Sequence, residues 1–381
     1  TVRQYSWSTP MTVTLLAGGG TAGHVNPLLA IADRLRERDP ASTVLVLGTA
    51  EGLESRLVPA RGFELLTIPK LPFPRRPSRA ALQFPARYRA AVDDVSAIIA
   101  DRGVDLIIGV GGYVAAPAYS AARRTSVPLA IHEANAKPGI ANRLGARHTK
   151  FVGVAFAGTP LPHAEHVGMP LRVEIERLDP FTARAEAHDF FDLDAGRPVL
   201  LVTGGSSGAK RINETIAAAA PAILGAGWQI LHITGEYRDS IADPGLPGYR
   251  LVKYCDRMDL ALAIAELAVA RSGTSTVAEL AALGIPAVFV PYPVGNGEQR
   301  LNPRAALAAG AAIMVDDAQF SPEWAAGDLV SLLRRRADIA AMAARMAPLG
   351  MRDATDRMVA LADRALAAGS AGLRATPDTH T

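Results

Sequence analysis

The sequence holds a single cysteine, Cys255, among 381 residues. One cysteine excludes an internal disulfide, makes an oxidising compartment unnecessary and argues against a thiolate-based metal site. No run approaches the ~18 consecutive apolar residues that a membrane-spanning helix needs. The stretch Thr1–Pro10 lacks the basic-then-apolar order of a signal peptide, and Met11 reads as a start preceded by an upstream extension. The expectation is a cytoplasmic protein. Charge of one sign is also scarce: a net +3 argues neither for nor against an anionic partner, so local clustering has to decide.

What is present is a globular composition, 49% hydrophobic and 20% charged. A chain of 381 residues is long for one core, so two domains are expected. Short apolar runs at Thr12–Ala17, Thr43–Leu47, Phe63–Ile68, Asp105–Val110, Pro128–His132 and Phe151–Ala155 read as strands. Helical stretches such as Val25–Arg38 and Ala80–Asp101 separate most of them. Continuous rather than alternating apolar runs indicate parallel strands buried on both faces, and strand–helix repetition indicates right-handed crossovers. A second series runs through Pro198–Thr203, Trp228–Ile233, Leu267–Ala270, Ala287–Val290 and Ala311–Val315. The fold class is α/β with two Rossmann-like domains, 11–170 and 171–345, joined near Val167-Gly-Met-Pro-Leu-Arg172. A C-terminal helix over 346–368 is expected to return to the N-terminal domain, with a disordered tail over 369–381.

Three glycine clusters follow predicted strands: Gly18-Gly-Gly-Thr-Ala-Gly-His24, Gly109-Val-Gly-Gly-Tyr113 and Gly204-Gly-Ser-Ser-Gly208. Glycine permits a tight turn and close backbone approach, and a following helix aims N–H groups at an anion. Any one cluster is equally a plain connection between strand and helix. Three of them suggest anions held on both sides of a cleft at the carboxyl ends of the strands. No Gly-Lys-Ser/Thr follows, which excludes a P-loop. Gly18–Gly23 does satisfy Gly-x-Gly-x-x-Gly, yet Glu51 is the only acid near the end of the second strand and is poorly placed for a nicotinamide dinucleotide.

Seven motifs then occur in one order: Gly19-Gly-Thr-Ala-Gly-His24, Gly111-Gly-Tyr113, His132-Glu-Ala-Asn135, Gly168-Met-Pro-Leu-Arg172, Gly204-Gly-Ser206, Arg271-Ser-Gly273 through Glu279, and Gly297-Glu-Gln299 with Asn302. Together they resemble the MurG family of UDP-N-acetylglucosamine transferases, from about Thr12 to Ala367. The resemblance implies a glycosyltransferase B fold with an interdomain active-site cleft. It implies an enzyme, an inverting hexosyltransferase of peptidoglycan synthesis that acts on UDP-GlcNAc and lipid I to give lipid II. In this family Glu279 takes the ribose, Ser206 and Arg172 the diphosphate, and Thr274 faces the sugar. Glu298 and Gln299 read GlcNAc hydroxyls, Asn135 reaches the donor sugar from the other domain, and Cys255 lies where backbone meets uracil. Thr21 and Gly23 would also meet the donor, while Gly20, Thr21, Ala22, Gly111, Gly112 and Tyr113 would meet the acceptor. The sequence departs from the family at Glu298 (a more familiar Gln), Ser207 (commonly Gln) and Ala22 (commonly Gly). Those changes put single hydrogen bonds in doubt. The Cys255 thiol need not be reactive, and a packed cysteine is favoured over a reactive one.

His24 is the candidate general base for the acceptor's 4-hydroxyl. At a helix start the dipole disfavours imidazolium and keeps the ring neutral. The competing role is a contact to the acceptor's diphosphate, or a helix cap. The one Asp-x-Asp, Asp192-Leu-Asp194, precedes its strand and lies away from the expected site, so no essential metal and no cofactor are expected. His148, His163, His166, His188, His232 and His380 form no ligand set.

Between Lys70 and Arg89 six basic residues (Lys70, Arg75, Arg76, Arg79, Arg87, Arg89) face no acid and are interleaved with Leu71, Phe73, Leu82, Phe84 and Tyr88. That pattern suits anionic inner-leaflet phospholipids and a peripheral position on the cytoplasmic face of the plasma membrane. Lys70, Leu71, Phe73, Arg75, Arg76, Leu82 and Phe84 are the candidate membrane residues. A solvated helix face is the plainer explanation. Nucleic acid is the rival partner, and no nucleic-acid motif accompanies the patch. A UDP-GlcNAc 2-epimerase would share the fold without needing the patch. A non-catalytic nucleotide-sugar-binding scaffold would not need His24, Asn135 and Glu279 together. Partnership in a cell-wall synthesis complex stays open.

Overall fold

The computed structural model describes residues 12–374 except Thr21, Arg75, Pro77, residues 206–207, residues 236–240 and Gly295. The described chain divides into two compact units. One runs to Ala134 and takes in Pro138–Pro170 and the chain from Thr355; the other holds Asn135–Lys137 and Leu171–Ala354.

In the first unit, β1 (Val13–Gly18), β2 (Thr43–Gly48), β3 (Glu64–Thr67), β4 (Leu106–Gly111), β5 (Leu129–Glu133), β6 (Phe151–Val154) and β7 (Ala164–His166) form one sheet, ordered β3-β2-β1-β4-β5-β6-β7. Every pairing is parallel. Alternate residues point to opposite faces, which is why β1 feeds two cores. Leu15 and Ala17 join the helices Arg79–Arg102 and Ala115–Thr125, while Leu16 joins the helices Ala22–Arg38 and Ala354–Arg374. In the second unit, β8 (Val199–Thr203), β9 (Gln229–Ile233), β10 (Tyr249–Val252), β11 (Ala265–Ala270), β12 (Ala287–Phe289) and β13 (Ala312–Met314) form a parallel sheet, ordered β10-β9-β8-β11-β12-β13.

The strands β7 and β10 have no counterpart among the expected ones. Both are edge strands: β7 is three exposed residues, and β10 mixes Tyr and Arg with Leu and Val. An edge strand is buried on fewer sides and carries a weaker apolar signal. The C-terminal helix also differs from the expected 346–368. The chain breaks at Pro348 and Gly350, where a Cβ would lie 2.4 Å from the Ala281 carbonyl oxygen, and the helix spans Ala354–Arg374. It continues past the expected start of the tail because Gly369 lets it lie against Pro128, whose Cγ would be 2.2 Å from a side chain there. Its apolar face (Met358, Val359, Leu361, Ala362, Ala365) packs into the first unit's core, and Arg38 pairs with Asp363 at 2.8 Å.

Candidate active site

In an open parallel sheet, loops at neighbouring carboxyl ends diverge where the strand order reverses, and ligands collect there. In the first unit that point lies between β1 and β4. Gly20, Gly111 and Gly112 adopt φ of +94°, +90° and +92°, which only glycine takes without strain. The two turns touch: a Cβ on Gly112 would lie 2.6 Å from the Gly19 carbonyl oxygen.

Beneath the first turn lies Glu54, fully buried and absent from the candidates read in the sequence. Its carboxylate accepts from the Gly20 N–H at 2.8 Å, and from the Thr49 N–H and hydroxyl at 2.9 and 2.8 Å. Burial alone would raise its pKa, but the bonds from Gly20, its own backbone and Thr49 outweigh that and hold it below the usual glutamate value. An acid after β2 thus does exist, but it is spent on the turn itself. This speaks further against a dinucleotide reading of Gly18–Gly23, since the Gly20 N–H already has an internal anion. The signal available in the sequence was Gly48-Thr-Ala-Glu-Gly-Leu-Glu54, two glycines that leave room for a large side chain.

His24 and Gly23 sit in the first turn of the helix Ala22–Arg38, both half-buried. The His24 ring packs on the second turn, 3.2 Å from where a Gly111 Cβ would stand. Burial lowers its pKa, and the Glu54 charge opposes the shift. Tyr113 is 39% exposed, its ring faces Gly20, and the Lys70 ammonium lies 5.2 Å from its centroid. Under Gly111 runs a buried chain: the Tyr119 hydroxyl donates to Asn142 at 2.7 Å, and Asn142 donates to Glu133 at 2.9 Å and to the His132 carbonyl at 3.1 Å. His132 meets the Gly168 carbonyl at 2.9 Å and is pushed down to about 4 by burial, so it is a neutral structural ring. Sequence reasoning missed Tyr119 and Asn142, because nothing local marks either.

In the second unit the reversal lies between β8 and β11. Gly208 takes φ of +75°, and a Cβ there would lie 2.2 Å from the Thr234 carbonyl oxygen. After β11, Ser272 donates to the Gln299 carbonyl at 2.6 Å, and Asn302 donates to the Ser272 carbonyl at 3.1 Å. Thr274 donates to Asn135 at 2.8 Å, and Asn302 accepts from the Ala136 N–H at 3.1 Å. By its contacts Asn135 groups with the second unit, whereas the resemblance implies a residue of the N-terminal domain that reaches the donor sugar. Glu279, on the helix Thr274–Ala282, is 9% exposed and lies 3.6 Å from the Arg172 guanidinium. Burial raises the Glu279 pKa, and Arg172 opposes the shift. Among the described residues the buried Arg172 Nε has no hydrogen-bond partner.

Other candidates are tied more locally. Gln299 accepts the Tyr292 N–H at 2.9 Å through its amide oxygen, so it can meet a sugar by donating from its NH2 group. Glu298 accepts the Asn296 N–H at 3.1 Å. Cys255 is buried, and burial pushes its thiol up to about 11, a packed cysteine rather than a nucleophile. Thr21, Ser206, Ser207 and Arg75 lie outside the described residues, as does His380; Ala22 starts the first helix of the chain.

The basic–apolar segment needs correction. Leu71 is 4% exposed and belongs to the core, while Phe73 and Phe84 stack at 5.4 Å and pack half-buried against it. Among the described residues of the segment only Leu82, 83% exposed, is a large apolar group fully offered to the outside, and Arg76, Arg79, Arg87 and Arg89 are exposed as well. Helical period explains the split. In the helix Arg79–Arg102, capped by Ser78 accepting from Ala81, Phe84 and Tyr88 fall four apart on the inner face and Leu82 falls outside it.

Among the described residues no three His, Cys, Asp or Glu side chains gather to hold a metal ion. The Asp-x-Asp caps turns: Asp192 ends a helix at φ of 54°, and Asp194 accepts the Gly196 N–H at 2.8 Å. His232 is buried between Tyr249 and Asn213, and burial lowers it to about 3.

Two parallel α/β units, each with a glycine turn at its strand-order reversal, are the two parts of a glycosyltransferase B fold. Residues 14–154 match the glycosyltransferase family 28 N-terminal domain and residues 199–358 its C-terminal domain. The chain belongs to glycosyltransferase family 28. It is 63% identical over 358 residues to the UDP-N-acetylglucosamine--N-acetylmuramyl-(pentapeptide) pyrophosphoryl-undecaprenol N-acetylglucosamine transferase of Leifsonia xyli subsp. xyli, covering 94% of this chain and 100% of that one. A protein of the same name from Clavibacter sepedonicus is 57% identical, over 94% and 97% of the two chains. The crystal structure of Acinetobacter baumannii MurG superposes with a TM-score of 0.73 at 28% identity, over 93% of this chain and 100% of that one.

Proposed function

We propose that the protein transfers N-acetylglucosamine from UDP-GlcNAc to the 4-hydroxyl of N-acetylmuramyl-pentapeptide on undecaprenyl pyrophosphate, converting lipid I to lipid II. The observation that carries this is the 63% identity, along the whole length, to a relative whose name states that transfer. An epimerase shares only the general fold. The acceptor oxygen attacks C1 of GlcNAc, and the bond from C1 to the diphosphate oxygen breaks with inversion. The hydroxyl proton passes to a His24 ring nitrogen, and the electron pair leaves with UDP.

The chain's own groups suit these steps. Burial keeps His24 neutral and able to take a proton. Glu279 can accept from both vicinal ribose hydroxyls, and Arg172 beside it supplies fixed positive charge for the departing diphosphate. Thr274, Gln299 and Asn135 present hydroxyl and amide groups to the sugar, and Gly20, Gly111, Gly112 and Tyr113 receive the acceptor. The charge on the leaving group is met without an essential metal in this reading. The deciding assay is transfer of labelled GlcNAc to a short-chain lipid I analogue. No transfer, alongside normal UDP binding, sinks the proposal.

Docking at anionic phospholipids of the cytoplasmic face completes the reading. No described helix is long and apolar enough to cross a membrane. Lys70, stacked on Tyr113, joins the basic segment to the acceptor side of the first unit. Changing Leu82, Arg76 and Arg79 together to Ser leaves the packed Phe73–Phe84 pair in place. At about 1 kcal/mol per lost cation, the two arginines alone should weaken binding to phosphatidylserine vesicles by roughly 30-fold. Affinity equal to that of the unaltered chain would end the docking proposal.

A further inference from the structure

We infer that Glu54 is a positioning residue for the acceptor, an internal anion that sets the first glycine turn before any substrate arrives. The inference rests on the acceptor reading above. Three glycines are shaped around this one side chain: a Cβ on Gly19, Gly48 or Gly52 would lie 2.4, 2.5 or 2.1 Å from Glu54 atoms. Its two carboxylate oxygens divide the work. One takes the Gly20 N–H, and the other takes both the N–H and the hydroxyl of Thr49 at the end of β2. The turn after β1 is thereby tied to the end of the neighbouring strand.

The consequence reaches the reacting groups by contact. Gly19 presses its carbonyl against Gly112, Gly20 faces the Tyr113 ring, and the helix bearing His24 begins at Ala22. Fixing the Gly20 peptide therefore fixes the floor on which Gly112, Tyr113 and His24 meet the acceptor. With the Gly20 N–H engaged, an acceptor anion has to be held by other donors. Glu54 touches no substrate in this scheme and acts through the turn.

Two variants test it. In Glu54→Ala all three bonds are lost. In Glu54→Gln the shape is kept, but the amide NH2 must face a donor at either Gly20 or Thr49. The transfer assay should show kcat/KM for a lipid I analogue reduced at least tenfold in Glu54→Ala and less in Glu54→Gln. The Kd of UDP should stay within twofold, because Arg172 and Glu279, the groups assigned to the UDP moiety, lie in the other compact unit. Equal loss on the donor and acceptor sides, accompanied by a lower Tm, would mean general structural damage and overturn the inference. Acceptor kcat/KM within twofold in Glu54→Ala overturns it as well. Amide hydrogen exchange at Gly20, read without substrate, should be at least tenfold faster in Glu54→Ala, and unchanged exchange overturns the tether. If the unaltered chain fails to transfer to lipid I, the acceptor reading fails by itself and the Gly20 exchange still judges the tether.

Discussion

Replacing His24 by Ala should lower kcat for transfer by ~10²–10⁴, the usual worth of a general base, while UDP binds within twofold of its normal affinity. The prediction comes from where the ring is held. It stands in the first turn of a helix, against Gly111, so helix dipole and burial both disfavour the imidazolium. The negative charge of Glu54 pulls the other way but does not win. A lowered pKa keeps the base in its working form below the ordinary 6.5, so the acid limb of kcat/KM should lie below that value and vanish in His24→Gln. The linkage has a definite sign. Below pH 6.5 the unfolded chain binds this proton more readily than the folded one, so His24 contributes a loss of stability on acidification that the Ala variant lacks. An unchanged kcat with a raised acceptor KM would instead assign His24 to holding the acceptor's diphosphate.

The sequence announces the parts of this site unevenly. Strands buried on both faces are continuous apolar runs, and the nine described central ones could be placed within a residue or two. The edges β7 and β10 could not, since a strand paired on one side needs less apolar content. Glycine turns were visible because their conformation excludes other residues, as at Gly112. Glu54 was not, because its role depends on the turn at Gly19 and Gly20, distant in the chain, coming to lie over it. Tyr119 and Asn142 escaped for the same reason. The basic–apolar segment misled in the opposite direction. Composition supplied Phe73 and Phe84 as outward groups, but helical phase turns them into the core and leaves Leu82 outside. Local pattern records what a residue can do; its direction is decided by packing.

Glu279 offers the second large effect, and one that separates binding from folding. Hydrogen bonds to a charged group contribute about 1.5–3 kcal/mol each, so Glu279→Gln should raise KM for UDP-GlcNAc by roughly 10–100-fold. The acceptor KM should be unaffected. Burial is the larger influence on this carboxyl and raises its pKa above 4.5, with Arg172 opposing. Two signs follow. Donor KM should climb as pH falls toward that raised value, earlier than for an ordinary carboxylate, and the Gln variant should show no such climb. For stability the direction is reversed: a group whose folded pKa is raised favours the folded state below its unfolded pKa and loses that contribution as pH rises through the folded value. At neutral pH the free carboxylate is therefore a cost to folding, and Glu279→Gln, whose amide oxygen can still accept from Arg172, should melt no lower than the unaltered chain in the absence of donor. A variant that binds donor normally would remove Glu279 from the ribose site. One that loses donor and melts several degrees lower would make the Arg172–Glu279 pair a structural clasp, not a site held ready at the expense of stability.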